Sequence, residues 1–69
     1  MTNSLMLRQW IFGKGLKLKY VAERLGITPY ALQKKIDNKS EFKASEIATF
    51  VAKLGMTPSE RDHIFFEAA

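Results

Sequence analysis

The sequence predicts an all-α domain built from five short helices. Apolar residues recur at spacings of three and four along most of the chain, and no stretch alternates apolar with polar residues as a half-buried strand does. A glycine or a Thr-Pro pair stands at most of the breaks between these stretches. With 69 residues, 46% of them hydrophobic, and no cysteine, the chain is expected to form one compact domain over 1–69 on its apolar core alone.

The helices are predicted from the apolar stripes and from the residues that begin and end them. The predicted ranges are 4–12, 18–25, 28–36, 44–54 and 57–67. Asn3 or Ser4 can cap the first helix, and Gly13 follows it. The fifth begins with Thr57-Pro58-Ser59-Glu60, a capping box with proline at the first helical position. The aromatic residues predicted to lie in the core or at its edge are Trp10, Phe12, Phe42 and Phe50.

The second and third predicted helices have the spacing of a helix-turn-helix. Ala22 is small enough for the helices to approach closely, Gly26 supplies the tight turn, and Ile27 fills the space between them. A Thr-Pro pair then begins the next helix as its cap and first residue. A plain helical hairpin within a small bundle is the alternative interpretation.

No catalytic, metal or cofactor site is expected. The sequence has a single histidine, His63, and we find no paired carboxylates, no nucleophile beside a base and no glycine-rich phosphate loop. We therefore expect no enzyme, no cofactor and no small-molecule substrate, with His63 at the surface or an interface. No segment approaches the ~20 apolar residues of a membrane span, and the amino terminus does not resemble a signal peptide. We expect a soluble, intracellular protein.

The net charge of +4 is concentrated in the middle of the chain. Residues 14–43 carry eight basic and three acidic side chains, whereas the remaining residues carry three basic and four acidic ones. A basic segment that spans the predicted helix-turn-helix is typical of a surface that binds a polyanion such as double-stranded DNA. A lysine-rich surface that contacts only solvent is the other interpretation.

The stretch from Leu25 to Phe42, LGITPYALQKKIDNKSEF, resembles the Cro/repressor-type (XRE) helix-turn-helix family of small regulators from temperate phages and mobile elements. It is similar to the branch whose recognition helix ends in KK-I-x-x-K-S-E-F, as are Glu46-Ile47 and Ile64-Phe65-Phe66. The resemblance covers about 5–67. It implies a five-helix, lambda-repressor-like helix-turn-helix domain and a role in transcription, often in the lysis–lysogeny choice, in the cytoplasm of a bacterial host.

Two positions depart from the family pattern. The second helix of this family usually starts with Ser or Thr followed by Gln, which bonds a phosphate, whereas this chain has Lys17 and Leu18 there. Lys17 can still meet a phosphate, but Leu18 cannot. Pro29 occupies a position at which many members place a polar side chain that reads a base.

In a helix-turn-helix, the second helix of the pair lies in the major groove and its amino-terminal residues contact base edges. The base-reading candidates, on the face opposite the core, are Pro29, Tyr30, Gln33 and Lys34. Gln33 can bond adenine, and Lys34 can bond guanine. The candidates for phosphate contact are Lys17, Lys19, Thr28, Lys35, Asn38, Lys39 and Lys43. An ordinary solvated face is the alternative for both sets.

We expect a homodimer on two half-sites about one helical turn apart, because one such helix covers only a few base pairs. The candidates for a dimer or partner interface are Met56, Ile64, Phe65 and Phe66. Alternatively, this end of the chain folds back onto its own core. A second functional hypothesis is an antirepressor or modulator, which binds a phage repressor protein rather than DNA alone.

Overall fold

The computed structural model describes residues 1–67, and within them the chain forms five α-helices and no strand. The helices are α1 (Ser4–Gly13), α2 (Leu18–Leu25), α3 (Pro29–Ile36), α4 (Ala44–Lys53) and α5 (Pro58–Arg61), and a π-helical turn (Asp62–Phe66) follows α5 directly. The predicted all-α fold class is therefore confirmed. None of the helices in this part of the chain is long and apolar enough to cross a membrane.

The helix ends lie within one residue of the predicted ones except in the last helix. Thr28 and Thr57 stand just outside α3 and α5 as caps, because each side-chain oxygen accepts a hydrogen bond from the backbone N–H three residues later. The side chain of Asn3 caps α1 in the same way. The predicted helix over 57–67 is an α-helix for only four residues before it widens into the π-helical turn, and Glu67 is extended.

The core contains side chains from α1 to α4 and from the π-helical turn. The largest fully buried side chains are Leu7, Val21, Leu32, Ile36 and Phe50. The ring of Phe50 contacts those of Trp10, Phe42 and Phe65 at tilted or edge-on angles, with centroid distances of 5.9, 5.8 and 5.5 Å. Such aromatic pairs add about 0.5–1.5 kcal/mol each beyond the area they bury. Phe50 is therefore the centre of the core.

The prediction that Phe12 belongs to the core is wrong, because its side chain is 86% exposed. The buried face of α1 is formed by Leu7, Trp10 and Ile11. Phe12 is rotated about 100° from Ile11 and about 140° from Leu7 on the helix, so it lies outside this stripe. Its apolar side chain therefore faces solvent.

The α2–α3 junction is a tight turn between two helices, and its residues have the local conformations that the sequence predicts. Gly26 adopts the left-handed conformation (φ 74°), and its N–H donates to the carbonyl oxygen of Glu23 at 3.1 Å. The next N–H, of Ile27, donates to the carbonyl oxygen of Ala22 at 3.0 Å. Ala22 is fully buried and Ile27 packs against the core. Three residues thus connect the two helices, as the sequence predicts.

Three of the four residues predicted to form a dimer or partner interface lie in the core instead. Met56, Ile64 and Phe65 are buried, so the carboxy-terminal end folds back onto the domain. The N–H of Asn3 donates to the carbonyl oxygen of Ile64 at 2.8 Å, which fixes the π-helical turn against the start of α1. Only Phe66, at 62% exposure, remains available to a partner.

Candidate nucleic-acid interface

One face of α3 is held in the core, and the opposite face is open to solvent. Leu32 and Ile36, one turn apart, are fully buried. The four predicted base-reading residues are all exposed, and they are Pro29, Tyr30, Gln33 and Lys34. All four side chains are thus open to solvent, with Pro29 and Tyr30 in the first turn of α3 and Gln33 and Lys34 in the next.

Two of these side chains contact each other. The Lys34 Nζ lies 5.5 Å from the centroid of the Tyr30 ring, one helical turn earlier, in a cation–π arrangement. Tyr30 is 73% exposed, so the ring and the ammonium group form an open surface rather than a buried pair. The contact restricts the freedom of both side chains before any ligand binds.

Thr28 has the capping role at the start of α3. Its Oγ1 accepts a hydrogen bond from the N–H of Ala31 at 3.1 Å, and Pro29 occupies the first helical position. Because the hydroxyl hydrogen is not used in the cap, Thr28 can also donate to a phosphate, although the cap alone accounts for a threonine here.

Lys35, a predicted phosphate contact, is instead part of an internal ion pair. Its Nζ lies 2.6 Å from Oε1 and 2.8 Å from Oε2 of Glu46. The two side chains are only 12% and 6% exposed. Lys35 therefore connects α3 to α4 and is not placed to contact a phosphate.

Glu46 is a structural residue whose role the sequence analysis did not assign. Besides binding Lys35, its carboxylate accepts a hydrogen bond from the backbone N–H of Lys43 at 2.8 Å and so caps α4. Burial raises the pKa of Glu46, but the Lys35 ammonium and the Lys43 N–H together outweigh this effect and bring the pKa below its ordinary value. A glutamate at the third residue of a predicted helix is the signal that identifies such a cap.

Asn38, another predicted phosphate contact, also has an internal role. Its side-chain oxygen accepts from the N–H of Thr2 at 2.9 Å, and its amide nitrogen donates to the Thr2 carbonyl and to Ser4 Oγ. Asn38 has a left-handed backbone (φ 61°). The Ser4 hydroxyl in turn donates to the carbonyl oxygen of Ile36. These bonds join the amino terminus to the end of α3.

The remaining predicted phosphate contacts are exposed lysines at the borders of the helix-turn-helix. Lys17 is the N-cap of α2, and Lys43 is the N-cap of α4. Lys39 follows α3, where its N–H donates to the Lys34 carbonyl oxygen at 2.8 Å. Within residues 1–67, these three lysines and Lys19 form no ion pair. They are therefore free to meet an anion.

Internal pairing leaves the basic character of this region intact. Lys35 is neutralised by Glu46 of α4, and Asp37 is neutralised by Arg8 of α1 at 2.6 Å. One base and one acid are thus removed from the 14–43 segment, which keeps an excess of positive charge. At the start of α2, Leu18 packs against the core, and the exposed residues on either side of it in the sequence are the basic Lys17 and Lys19.

Phe66 lies beside a shallow apolar groove at the carboxy-terminal end of the described chain. The groove is lined by Phe42, Ala44, Ile47, Ala48, Arg61 and Phe66. The Arg61 guanidinium lies over the Phe66 ring at 5.9 Å and also pairs with Asp62.

His63 is on the surface, where its Nδ1 lies 2.5 Å from a Glu67 carboxylate oxygen.

No metal-binding group of three His, Cys, Asp or Glu residues occurs within residues 1–67. Comparison with protein-family models, with curated proteins and with solved structures finds no match to this chain. The functional assignment therefore depends on the geometry of α3 and its surroundings, together with the motif that the sequence carries.

Proposed function

We propose that this protein is a small transcriptional regulator that binds operator DNA through its helix-turn-helix, as the resemblance to the Cro/repressor-type (XRE) family implies. The observation that supports the proposal is the outer face of α3, where Tyr30, Gln33 and Lys34 are exposed together beside unpaired lysines. A phage or mobile element in a bacterial host is the source that the motif suggests. The site of action would be the bacterial cytoplasm.

In this proposal α3 enters the major groove and reads bases with two polar side chains. The amide of Gln33 can donate to and accept from adenine, and the Lys34 ammonium can donate to O6 and N7 of guanine. Tyr30 contacts a thymine methyl group with its ring or donates its hydroxyl to a phosphate. Pro29 has no N–H to donate, so it contributes shape and apolar contact only.

The four exposed lysines at the borders of the helix-turn-helix would position the protein on the DNA backbone. They are Lys17, Lys19, Lys39 and Lys43. Contacts of this kind set affinity and orientation and do not distinguish one base sequence from another. The Lys35–Glu46 ion pair supports the site indirectly, because it holds α3 against α4.

A second copy of the chain is the partner that this mode of binding needs, because a single recognition helix covers only a few base pairs. We place the dimer contact at the groove beside Phe66, which is exposed and apolar. Phe66→Ser is expected to weaken dimer formation in sedimentation equilibrium.

A mobility-shift titration tests the proposal. The purified chain is titrated onto the DNA upstream of its own gene and onto an unrelated duplex of equal length, at low salt. Specific recognition predicts a discrete complex with the upstream DNA, tighter by at least ~10³-fold than with the control duplex. Equal affinity for both duplexes would contradict sequence-specific binding.

The antirepressor hypothesis is the second candidate, and two observations favour it. Leu18 packs against the core where relatives are expected to have a phosphate-bonding Gln, and Pro29 occupies a base-reading position. In this hypothesis the basic face binds an acidic surface of a phage repressor. The same titration, repeated with the neighbouring repressor present, distinguishes the two functions. An antirepressor gives no specific shift alone but changes the shift of the repressor.

A further inference from the structure

The outer face of α1 carries large apolar side chains that the domain does not cover. Leu5 is 67% exposed and Phe12 is 86% exposed. They are seven residues apart, which is two helical turns, so they lie on the same side of α1. Exposed apolar residues that stand singly are ordinary on a protein surface, so the feature that distinguishes Phe12 is the groove beside it.

Phe12 forms one wall of a groove between α1 and the start of α2. The groove is lined by Arg8, Ile11, Phe12, Leu16 and Leu18, and we call it the α1 groove. Leu16 and Leu18 are partly buried and pack against the core, so they make a fixed apolar floor. Such a floor with a protruding ring beside it fits the apolar side chains of one face of a helix.

The segments that form the α1 groove are basic. Residues 8–19 contain no acidic side chain. Of their four basic ones, Lys14 lies over the Trp10 ring, which is not part of the groove, and Arg8, Lys17 and Lys19 belong to or adjoin its lining residues. Arg8 pairs with Asp37, the residue that follows α3, so Lys17 and Lys19 are the basic residues beside the groove that form no ion pair within residues 1–67. A partner with carboxylates beside its apolar residues is therefore complementary to this surface.

We infer that the α1 groove is a second binding surface, which takes an acidic amphipathic helix from a partner protein. The bases of duplex DNA offer little apolar surface to such a groove. A flat lipid surface contacts protruding side chains but does not fill a concave floor. The groove is formed by α1, the turn after it and the start of α2, and contains none of the exposed residues of α3. It shares only the neighbouring Lys17 and Lys19 with the proposed phosphate contacts.

Two synthetic amphipathic peptides test this inference without DNA in the assay. Both carry the same leucine face, and one has glutamates and the other has lysines on the opposite face. We expect the glutamate peptide to shift the backbone amide NMR signals of Arg8, Phe12, Leu16 and Leu18 in the full chain. The lysine peptide is expected to leave these signals unchanged.

Phe12→Ser is the informative variant, because its exposed side chain is not needed for folding. We expect it to weaken binding of the glutamate peptide by at least ~tenfold, since burial of a phenylalanine side chain is lost. Met6→Ser, which removes an exposed apolar side chain of α1 that does not line the α1 groove, is the matched control and is expected to bind as the wild type does. Circular dichroism verifies that both variants are folded.

Three results would overturn the inference. They are equal binding of the two peptides, no binding of the glutamate peptide, and full affinity in Phe12→Ser. Vesicles that contain phosphatidylglycerol test the competing lipid surface. Binding to these vesicles that requires Phe12, in a chain that does not bind the glutamate peptide, would assign the groove to a membrane instead.

Discussion

The ammonium group of Lys35 lies 2.6 and 2.8 Å from the two carboxylate oxygens of Glu46, and this ion pair joins the last turn of α3 to the first turn of α4. Lys34, the next residue along the chain, is exposed beside Tyr30. Two adjacent lysines of α3 thus have different roles. One fixes the helix within the fold, and the other is available to a ligand.

Lys35→Met is expected to destabilise the fold by about 3 kcal/mol, because it leaves the Glu46 carboxylate buried without its cation. Lys35→Met combined with Glu46→Leu is expected to recover part of this loss, since the unpaired charge is then removed as well. The recovery is incomplete because the Lys43 N–H also loses its acceptor. Urea unfolding of the two variants and the wild type measures these differences, and equal stability of Lys35→Met and wild type would contradict the role assigned to the pair.

Stability is expected to fall as the solution becomes more acidic. The folded-state pKa of Glu46 lies below its ordinary value of 4.5, so the unfolded chain binds a proton more readily than the folded one does. The contribution of Glu46 is therefore complete above pH 4.5 and is lost as the pH falls through the folded-state pKa. Urea unfolding between about pH 6 and pH 3 measures the loss.

Glu60 also contributes to this acid sensitivity, so a variant is needed to separate the two groups. The Thr57 N–H, which donates to the Glu60 carboxylate, lowers the pKa of Glu60. In Glu46→Gln, stability is expected to decline less steeply with falling pH than in the wild type. Identical pH profiles for the two proteins would show that Glu46 does not titrate as its contacts require.

Asn38 is expected to tolerate glycine better than alanine. Both substitutions remove its hydrogen bonds to Thr2 and Ser4. Alanine also has to adopt the left-handed backbone (φ 61°), which costs about 1 kcal/mol more than glycine does. Thermal unfolding of the two variants gives the difference, and a higher stability of Asn38→Ala would contradict the left-handed conformation.

DNA affinity is expected to depend on salt through the four exposed lysines at the borders of the helix-turn-helix. Four phosphate contacts predict a slope of about −3.6 in a plot of log K against log salt concentration. Removing Lys17, Lys19, Lys39 or Lys43 singly is expected to reduce the slope by about 0.9 for each. Lys53→Ala, an exposed lysine of α4 outside the basic segment, is the matched control. An unchanged slope in all four variants would contradict these phosphate contacts.

The parts of the fold that depend on local sequence were predictable. Helix ends followed from caps such as Thr28, and the α2–α3 turn followed from Gly26, whose conformation is a local property. The outer face of α3 followed from the positions of Leu32 and Ile36 on a helix of known pitch. The sequence therefore predicted the base-reading candidates as one surface.

Contacts between distant parts of the chain were not predictable in the same way. The role of Lys35 depends on the angle between α3 and α4, because its partner is on another helix. The burial of Ile64 and Phe65 depends on the π-helical turn, which changes the direction of their side chains after α5. Five of the candidate site residues moved from surface to core for such reasons, or became internal links. They are Lys35, Asn38, Met56, Ile64 and Phe65.

Selection of binding sites from a library of random-sequence duplex DNA tests the central proposal most directly, because it requires no prior operator. The wild-type chain is expected to enrich a sequence motif, with two related half-sites about one helical turn apart if it binds as a dimer. Gln33→Ala and Lys34→Ala are each expected to lose about 1–3 kcal/mol of preference at one position of the half-site, while the other positions remain. Salt-sensitive binding without any enriched motif would contradict base reading by the outer face of α3. So would a motif that is unchanged from that of the wild type in both variants.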